Sequence, residues 1–281
     1  MITARQCTAL LLLAGAPSTL GAQASAPPPS NVLVVYREVV KVGKGAAHNA
    51  LETAWSWAQI QAKAPYPFVA ATSLTGSNEI WYFAPFSNWA EWEKSNDLTG
   101  SNATLAAIDK RFRSQEDQFL TEARGMTLRP RPELNYGTPA DLPNMRYISA
   151  TRVSVRPGHT AEYEEARKMV KAAHETAHLT DGFSVWEVTG GAPAGTFYTF
   201  VARKSLAELD SGATIHGAAY TAALGGDSGQ KKLAALNASA VLSSETDQFE
   251  FTPSQSVAPP DWVTANPKMW KRSAPVTPKK P

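Results

Sequence analysis

Hydrophobic and polar positions along the chain predict one order of elements that occurs twice. β-Branched residues fill the segments that we assign to strands, and Ala, Leu and Trp recur at helical spacing in those that we assign to helices. Gly76-Ser77-Asn78, between the second and third strands, is typical of a hairpin turn. The first copy is predicted to run strand, helix, strand, strand, short helix, helix and strand, over residues 31–40, 46–63, 68–75, 79–84, 87–94, 103–123 and 125–131.

The second copy repeats this order, beginning 115 residues later, where Val-Arg-Pro-Gly-His at 155–159 matches Val-Lys-Val-Gly-Lys at 40–44. An Asp-Gln-Phe sequence recurs at 117–119 and 247–249, and the rise of the offset between the copies from 117 to 130 predicts an insertion of about 13 residues around 225–232. Two copies of this length indicate a duplicated domain. The second copy is predicted to have strands at 146–155, 182–189, 196–202 and 247–252, with its long helix ending near Ser244.

The order of elements predicts an α+β fold. A strand, a helix, a hairpin, a helix and a strand form the ferredoxin-like βαββαβ pattern, whose sheet carries helices on one face and needs a cover on the other. A second copy supplies that cover. We therefore predict two tandem ferredoxin-like units that pack sheet to sheet as a pseudo-dimeric α/β barrel.

The ends of the chain predict export. Residues 1–24 have a positive start at Arg5, a short apolar segment and the small-x-small sequence Ala22-Gln23-Ala24, which together are typical of a signal peptide. The mature chain is then expected near Ser25, in the periplasm or outside the cell, without membrane association. The remaining predicted divisions are a Pro-rich leader at 25–30, units at 31–131 and 145–253, a Pro-rich linker at 132–144 and a disordered Pro-rich tail at 254–281.

Composition removes several classes of chemistry. Cys7 is the only cysteine and lies in the predicted signal peptide, so the mature chain has no disulfide, no thiolate nucleophile and no cysteine metal ligand. The formal net charge of +2 comes without a basic stripe, so we expect no nucleic-acid partner.

Over residues 31–252 the chain resembles the dimeric α/β-barrel superfamily, which includes antibiotic-biosynthesis-monooxygenase-like and NIPSNAP-like domains. The resemblance depends on the strand endings at 40–45 and 155–159, the aromatic second and third strands and the two Asp-Gln-Phe sequences. Within this superfamily the chain is most similar to exported bacterial proteins with two such units. The resemblance implies the barrel fold and, by analogy with monooxygenase-like relatives, a pocket for a flat apolar molecule.

Arg37 and Arg152 occupy equivalent positions on apolar faces of the two first strands. Such a residue either lines a polar cavity or forms an ion pair at the surface. If the two faces meet inside the barrel, both cations can bind an anionic group there. We predict a ligand pocket of Arg37 and Arg152 with the aromatic candidates Trp81, Trp186 and Tyr198; ion-paired arginines and core aromatics are the alternative.

Two short motifs suggest other chemistry. His174-Glu175-x-x-His178 fits the H-E-x-x-H zinc pattern, but its helix is predicted to end at once and the first copy has Gln59 and Lys63 at the matching positions. Residues 226–229, Gly-Asp-Ser-Gly, resemble the sequence around a serine-protease nucleophile, and a glycine-rich turn explains them equally.

Three hypotheses on function follow. The first is an exported protein that binds a small apolar or anionic molecule in the barrel cavity. The second is a cofactor-independent monooxygenase-like enzyme that uses the same cavity, so the sequence leaves open whether the protein is an enzyme. The third is a zinc hydrolase built on His174 and His178. We predict no cofactor, no metal and a monomer in which the two units form the barrel.

Overall fold

The computed structural model describes residues 30–137, 140–214 and 217–273, and the side chains of these except at 211–214. The predicted signal peptide and residues 25–29 of the leader lie outside these ranges. In the first unit the elements are β1 (Val32–Val40), α1 (Gly45–Gln61), β2 (Val69–Ser73), β3 (Glu79–Phe86), α2 (Trp89–Ser101), α3 (Ala103–Glu116) and β4 (Leu120–Pro130).

The second unit and the tail complete the chain. Short 3-10 turns occupy the linker and the segment after the third strand of this unit. No helix of the described residues is long and apolar enough to cross a membrane. The elements are β5 (Tyr147–Val155), α4 (Thr160–Thr176), β6 (Ser184–Gly190), β7 (Thr196–Arg203), α5 (Ala218–Ala223), α6 (Gly226–Ala240), β8 (Val241–Phe251), α7 (Pro260–Ala265) and α8 (Pro267–Trp270).

The eight strands form one closed barrel in the order β1-β3-β2-β8-β5-β7-β6-β4, with every neighbouring pair antiparallel. Each unit supplies a four-stranded ferredoxin-like sheet, and the pairs β2–β8 and β4–β6 join the two sheets. The predicted sheet-to-sheet barrel is confirmed. Because the sheet closes on itself, none of its eight strands has an open edge.

The alternation of side chains along β1 explains how one strand serves two environments. Leu33 and Val35 belong to the core cluster inside the barrel, whereas Val32 and Val34 pack with Phe86 on the opposite face, under the helices. Successive residues of a strand point to opposite faces, so the order of residues in β1 decides what enters each layer.

The last strand of each unit begins earlier than predicted. The predicted helix over 103–123 ends at Glu116, and β4 starts at Leu120; in the second unit β8 already starts at Val241. The first halves of both strands are polar and exposed, so they lack the apolar alternation of a half-buried strand. Backbone pairing with β1 and β5 holds them in the sheet.

The two Asp-Gln-Phe sequences are not structurally equivalent. The first, at 117–119, precedes β4, whereas the second, at 247–249, lies within β8. The starts of β3 and β7 are 117 residues apart and those of β4 and β8 are 121 apart. The insertion between them is therefore about four residues instead of the predicted 13, because a chance match set the larger offset.

The tail was predicted to be disordered, and as far as Ser273 this prediction is wrong. Trp270 is only 2% exposed and belongs to the core cluster, and its indole N–H donates to the Pro143 carbonyl over 2.8 Å. Arg272 donates to the Ser56 hydroxyl over 2.7 Å. Burial of indole surface offsets the entropy of ordering this Pro-rich segment.

Candidate functional site

A cavity of about 590 Å³ lies in the first unit, between the sheet and its covering helices. It falls within the size range of small-molecule sites in proteins. Residues from β1, α1, β3, α2, α3 and β4 line it. Aromatic side chains form much of the wall, and three carboxyl groups lie together at one end.

These carboxyl groups and one imidazole form what we call the acidic cluster: Glu38, His48, Glu52 and Glu116. One potential ligand atom from each residue lies within 4.8 Å of the others. Glu38 lies on the helix-covered face of β1, after Val32, Val34 and Tyr36. His48 and Glu52 are one turn apart on α1 and therefore share a face of that helix, and Glu116 is the last residue of α3.

Hydrogen bonds order the cluster. His48 Nε2 lies 3.0 Å from Glu38 Oε2, and the Tyr82 hydroxyl donates to Glu52 Oε2 over 2.9 Å. His48 is fully buried and its Nδ1 has no hydrogen-bond partner among the described residues. The edge of the Phe119 ring packs against the imidazole.

Burial dominates the electrostatics of the cluster. It raises the pKa of Glu38 and of Glu52 to about 7. For Glu38 a hydrogen bond with Glu116 opposes this shift and the charge of Glu52 adds to it, and for Glu52 the charge of Glu116 adds to it. The pKa of Glu116 is raised to about 8, first by burial and then by its interaction with Glu38. Burial lowers the pKa of His48. The cluster therefore keeps protons near neutral pH, a property typical of functional sites.

The aromatic wall lies next to this acidic end. Trp55 stacks on Phe68 with ring centroids 5.0 Å apart, and Tyr82 meets both rings edge to face. The Trp55 indole N–H and the Gln59 amide both donate to Asp109, over 3.1 and 3.0 Å. The indole plane is thus held in place before any ligand arrives. Tyr66, Phe86 and Trp92 extend the apolar lining.

The second unit provides an internal comparison. At the positions equivalent to Glu38, His48 and Glu52 it has Val153, Tyr163 and Arg167, by the shared 115-residue spacing of β1 with β5 and α1 with α4. The Tyr163 ring packs on Phe197, and the Arg167 guanidinium lies over Phe183. Among the described residues, the acidic cluster is the one group that meets the geometry of a metal or multi-carboxyl site.

The structure places Arg37, Trp81 and Tyr198 in or beside the packed interior of the barrel. Arg37 makes a bidentate ion pair with Glu79, at 2.8 Å, and its guanidinium lies over the Trp81 ring. Trp81 and Tyr198 are 3% and 1% exposed and meet edge to face. Of the five predicted pocket residues, only Arg37 also lines the 590 Å³ cavity.

The other two predicted residues lie apart from that cavity. Arg152 pairs with Glu245 at 3.5 Å; the Arg152 side chain is partly exposed and that of Glu245 is largely exposed. Trp186 is half-buried against the core cluster, with its indole N–H 3.2 Å from the Ser184 hydroxyl. A ligand-binding role for the five residues stays a prediction.

The two short motifs singled out from the sequence both have a structural explanation. The His174 ring is buried among Tyr136, Phe183 and Tyr220, and its Nδ1 lies 2.8 Å from the Val170 carbonyl. His178 follows the end of α4, is exposed and has a left-handed backbone (φ 51°), and the metal-like grouping of the described residues includes neither histidine. The zinc hydrolase hypothesis is unsupported.

The Gly-Asp-Ser-Gly sequence at 226–229 was predicted to be an inserted turn. It forms the first turn of α6 instead, directly after Gly225, whose backbone is left-handed (φ 93°). A Cβ on Gly229 would lie 1.6 Å from the Leu224 carbonyl oxygen, so close approach of the backbone requires glycine there.

Sequence reasoning missed the acidic cluster. Its available signal was a His and a Glu four residues apart on the predicted first helix, beside a Glu on the first strand. The matching positions in the second copy carry Val153, Tyr163 and Arg167. Pairs of this kind are common on exposed helix faces, and only the folded chain shows that these are buried.

Comparisons with solved structures find the same architecture. A "putative monooxygenase" from Fusobacterium nucleatum matches with a TM-score of 0.52 at 9% sequence identity, over 79% of this chain and 92% of that one. An "anthrone oxidase-like protein" matches with a TM-score of 0.51 at 12% identity, over 80% and 92%. No protein-family model and no curated protein matches the sequence. The predicted α/β-barrel fold is confirmed, and these likenesses extend to the fold alone.

Proposed function

We propose that this protein, which has the dimeric α/β-barrel fold, binds a small aromatic molecule with a hydroxyl group in the cavity of its first unit. The observation that carries the proposal is the adjacency of an aromatic wall and a buried acidic cluster within one cavity of about 590 Å³. Pockets of that composition bury an apolar body and orient it through a few polar contacts. The predicted export of the mature chain belongs to the same proposal.

The charges of the cavity favour a hydroxyl over an anionic group. A carboxylate ligand would add a negative charge beside three carboxyl groups whose burial and mutual repulsion already raise their pKa, and this further repulsion disfavours it. Three arginines line the cavity, and they compensate only in part: Arg37 is bonded to Glu79, Arg124 pairs with Glu122, and the single charge of Arg113 acts on three carboxyl groups. A hydroxyl group can donate to a carboxylate oxygen, whereas the aromatic body stacks beside Trp55 and Phe68.

A second candidate function is enzymatic, in line with the monooxygenase-like alternative. The observation in its favour is the pKa of about 7 of Glu38 and Glu52, the range in which a carboxylate serves as a general base at neutral pH. In this function one of them removes the proton of the bound hydroxyl.

Binding of 2-naphthol, measured by titration calorimetry, tests the proposal, with 2-naphthoate as the matched anion. We expect 2-naphthol to bind at least tenfold more tightly than 2-naphthoate.

A substitution that fills the cavity tests where the ligand binds. Ala123 is exposed, lines the cavity and is paired with Glu38 across β1 and β4, so the substitution Ala123→Trp fills the cavity from the sheet side.

The matched control is Ser244→Trp. Ser244 is the exposed residue paired with Val153, the equivalent of Glu38 in the second unit. We expect A123W to abolish binding of 2-naphthol and S244W to leave it unchanged. Equal affinity for both naphthalenes, or equal binding by the two variants, would overturn the proposal.

A further inference from the structure

We propose that the acidic cluster of Glu38, His48, Glu52 and Glu116 is a binding site for one divalent first-row transition-metal cation. This inference is independent of the cavity ligand and goes beyond the proposed function.

The spacing of the four residues suits a shared cation. Carboxylate oxygens and imidazole nitrogens bind such cations at about 2.0–2.2 Å, so donors around one ion lie about 3–4 Å apart. The four candidate atoms already lie within 4.8 Å of one another. Side-chain adjustments of under about 1 Å bring them to coordination distance.

The donors are held by three different elements. Glu38 comes from β1, His48 and Glu52 come from α1, and Glu116 comes from the end of α3. Their backbones are fixed by the sheet and by the packing of α1 on α3. Tyr82, on β3, orients the Glu52 carboxylate through a 2.9 Å hydrogen bond, as an outer-shell partner orients a metal ligand.

His48 supplies a second observation that points to a ligand. Its side chain is fully buried, yet one ring nitrogen, Nδ1, has no hydrogen-bond partner among the described residues and the other, Nε2, faces the Glu38 carboxylate. The nitrogen that the imidazole offers to the cluster is therefore Nε2, and the three carboxyl groups around it are costly to bury together unless protons or a cation neutralise them. Arg113, an exposed residue of α3, is a cation whose charge reaches all three carboxyl groups.

The donor set selects the class of ion. Three carboxylates and one imidazole suit Mn²⁺, Fe²⁺ or Zn²⁺, whereas Mg²⁺ and Ca²⁺ prefer all-oxygen sites. A dication also neutralises two of the three carboxylate charges at the acidic end of the cavity. A hydroxyl-bearing ligand remains compatible, because its oxygen can face either a carboxylate or a cation.

Titration calorimetry of the EDTA-treated full chain with Mn²⁺ and with Zn²⁺, and elemental analysis of the reloaded protein, test the proposal. We expect one ion per chain and at least tenfold weaker binding of Mg²⁺. His48→Gln and Glu116→Gln should each weaken Mn²⁺ binding at least tenfold. Asp109→Asn is the matched control, because Asp109 lines the same cavity outside the cluster. This variant should bind Mn²⁺ as tightly as the unchanged protein.

Circular dichroism shows whether each variant folds. If His48→Gln does not fold, Glu116→Gln decides, because Glu116 is only partly buried and lies at a helix end. Absence of Mn²⁺ and Zn²⁺ binding, or wild-type affinity in E116Q, overturns the metal site. Trp55→Ala separates the two proposals, because it removes an aromatic face of the cavity and leaves the four cluster residues unchanged, so it should weaken binding of 2-naphthol and keep the metal.

Discussion

Arg37 and Glu38 are neighbours on β1 and serve opposite faces of the barrel wall. The Arg37 guanidinium lies inside, bonded to Glu79 at 2.8 Å, whereas the Glu38 carboxylate lies under the helices, 3.0 Å from His48. Because successive side chains of a strand point to opposite faces, the alternation that places Arg37 beside Glu79 also places Glu38 in the candidate site.

The ion pair of Arg37 predicts an effect on stability. The Glu79 carboxylate accepts hydrogen bonds from two nitrogens of Arg37 and from the Trp81 indole N–H, and its side chain is only 9% exposed. We expect Glu79→Gln to lower the free energy of unfolding by about 2 kcal/mol, because charged hydrogen bonds in a mostly buried setting are lost. Urea denaturation followed by tryptophan fluorescence measures the change.

The second unit offers the matched substitution for this prediction. Arg152 is equivalent to Arg37, and its partner Glu245 is largely exposed at 3.5 Å. We expect Glu245→Gln to change the free energy of unfolding by less than about 1 kcal/mol, as for other surface pairs. Similar losses in both variants would contradict a special role for the interior pair.

The tail predicts a further effect on stability. Trp270 packs against Phe251 and Trp262 within the core cluster, so Trp270→Ala should leave a cavity and destabilise the chain by about 3–5 kcal/mol. Lys271→Ala, at the next and exposed position, should have little effect. Thermal melting of both variants distinguishes a packed tail from a dispensable one; equal melting temperatures would contradict the packing.

The fold was accessible from the sequence and the candidate site was not, for a physical reason. Apolar alternation and helical spacing are local patterns, and their repetition after 115 residues identified the barrel. The acidic cluster joins β1, α1 and α3, and no local pattern states that Glu52 and Glu116 meet. The difference between His48 and Tyr163, its counterpart in the second copy, was the available sign that the first unit carries polar residues that the second lacks.

Export is a prediction that the described residues do not test. Expression of the full chain in a bacterium with a periplasm, followed by fractionation and intact mass spectrometry, should yield a mature protein that begins near Ser25. Replacing Ala24 by a bulky residue should block processing, because the cleavage site needs small side chains. Recovery of the full-length chain in the cytoplasm would contradict the prediction.

The metal-free protein should lose stability as the pH rises from about 5 to about 8. The pKa of Glu38 and Glu52 is raised to about 7 and that of Glu116 to about 8 in the folded chain, from the ordinary 4.5. The folded state then binds more protons than the unfolded state, so its stabilisation is complete below about pH 4.5 and is lost through pH 7–8.

The slope of this loss is at most about 1.4 kcal/mol per pH unit for each proton, and water and the charge of Arg113 reduce it. Glu116→Gln removes one of the titrating carboxyl groups and should flatten the profile, whereas Asp109→Asn should not. Urea denaturation of the EDTA-treated proteins at pH 5, 6.5 and 8 measures the slopes. Unfolding free energies that rise toward pH 8 would show that the carboxyl groups are ionised in the folded chain without a metal.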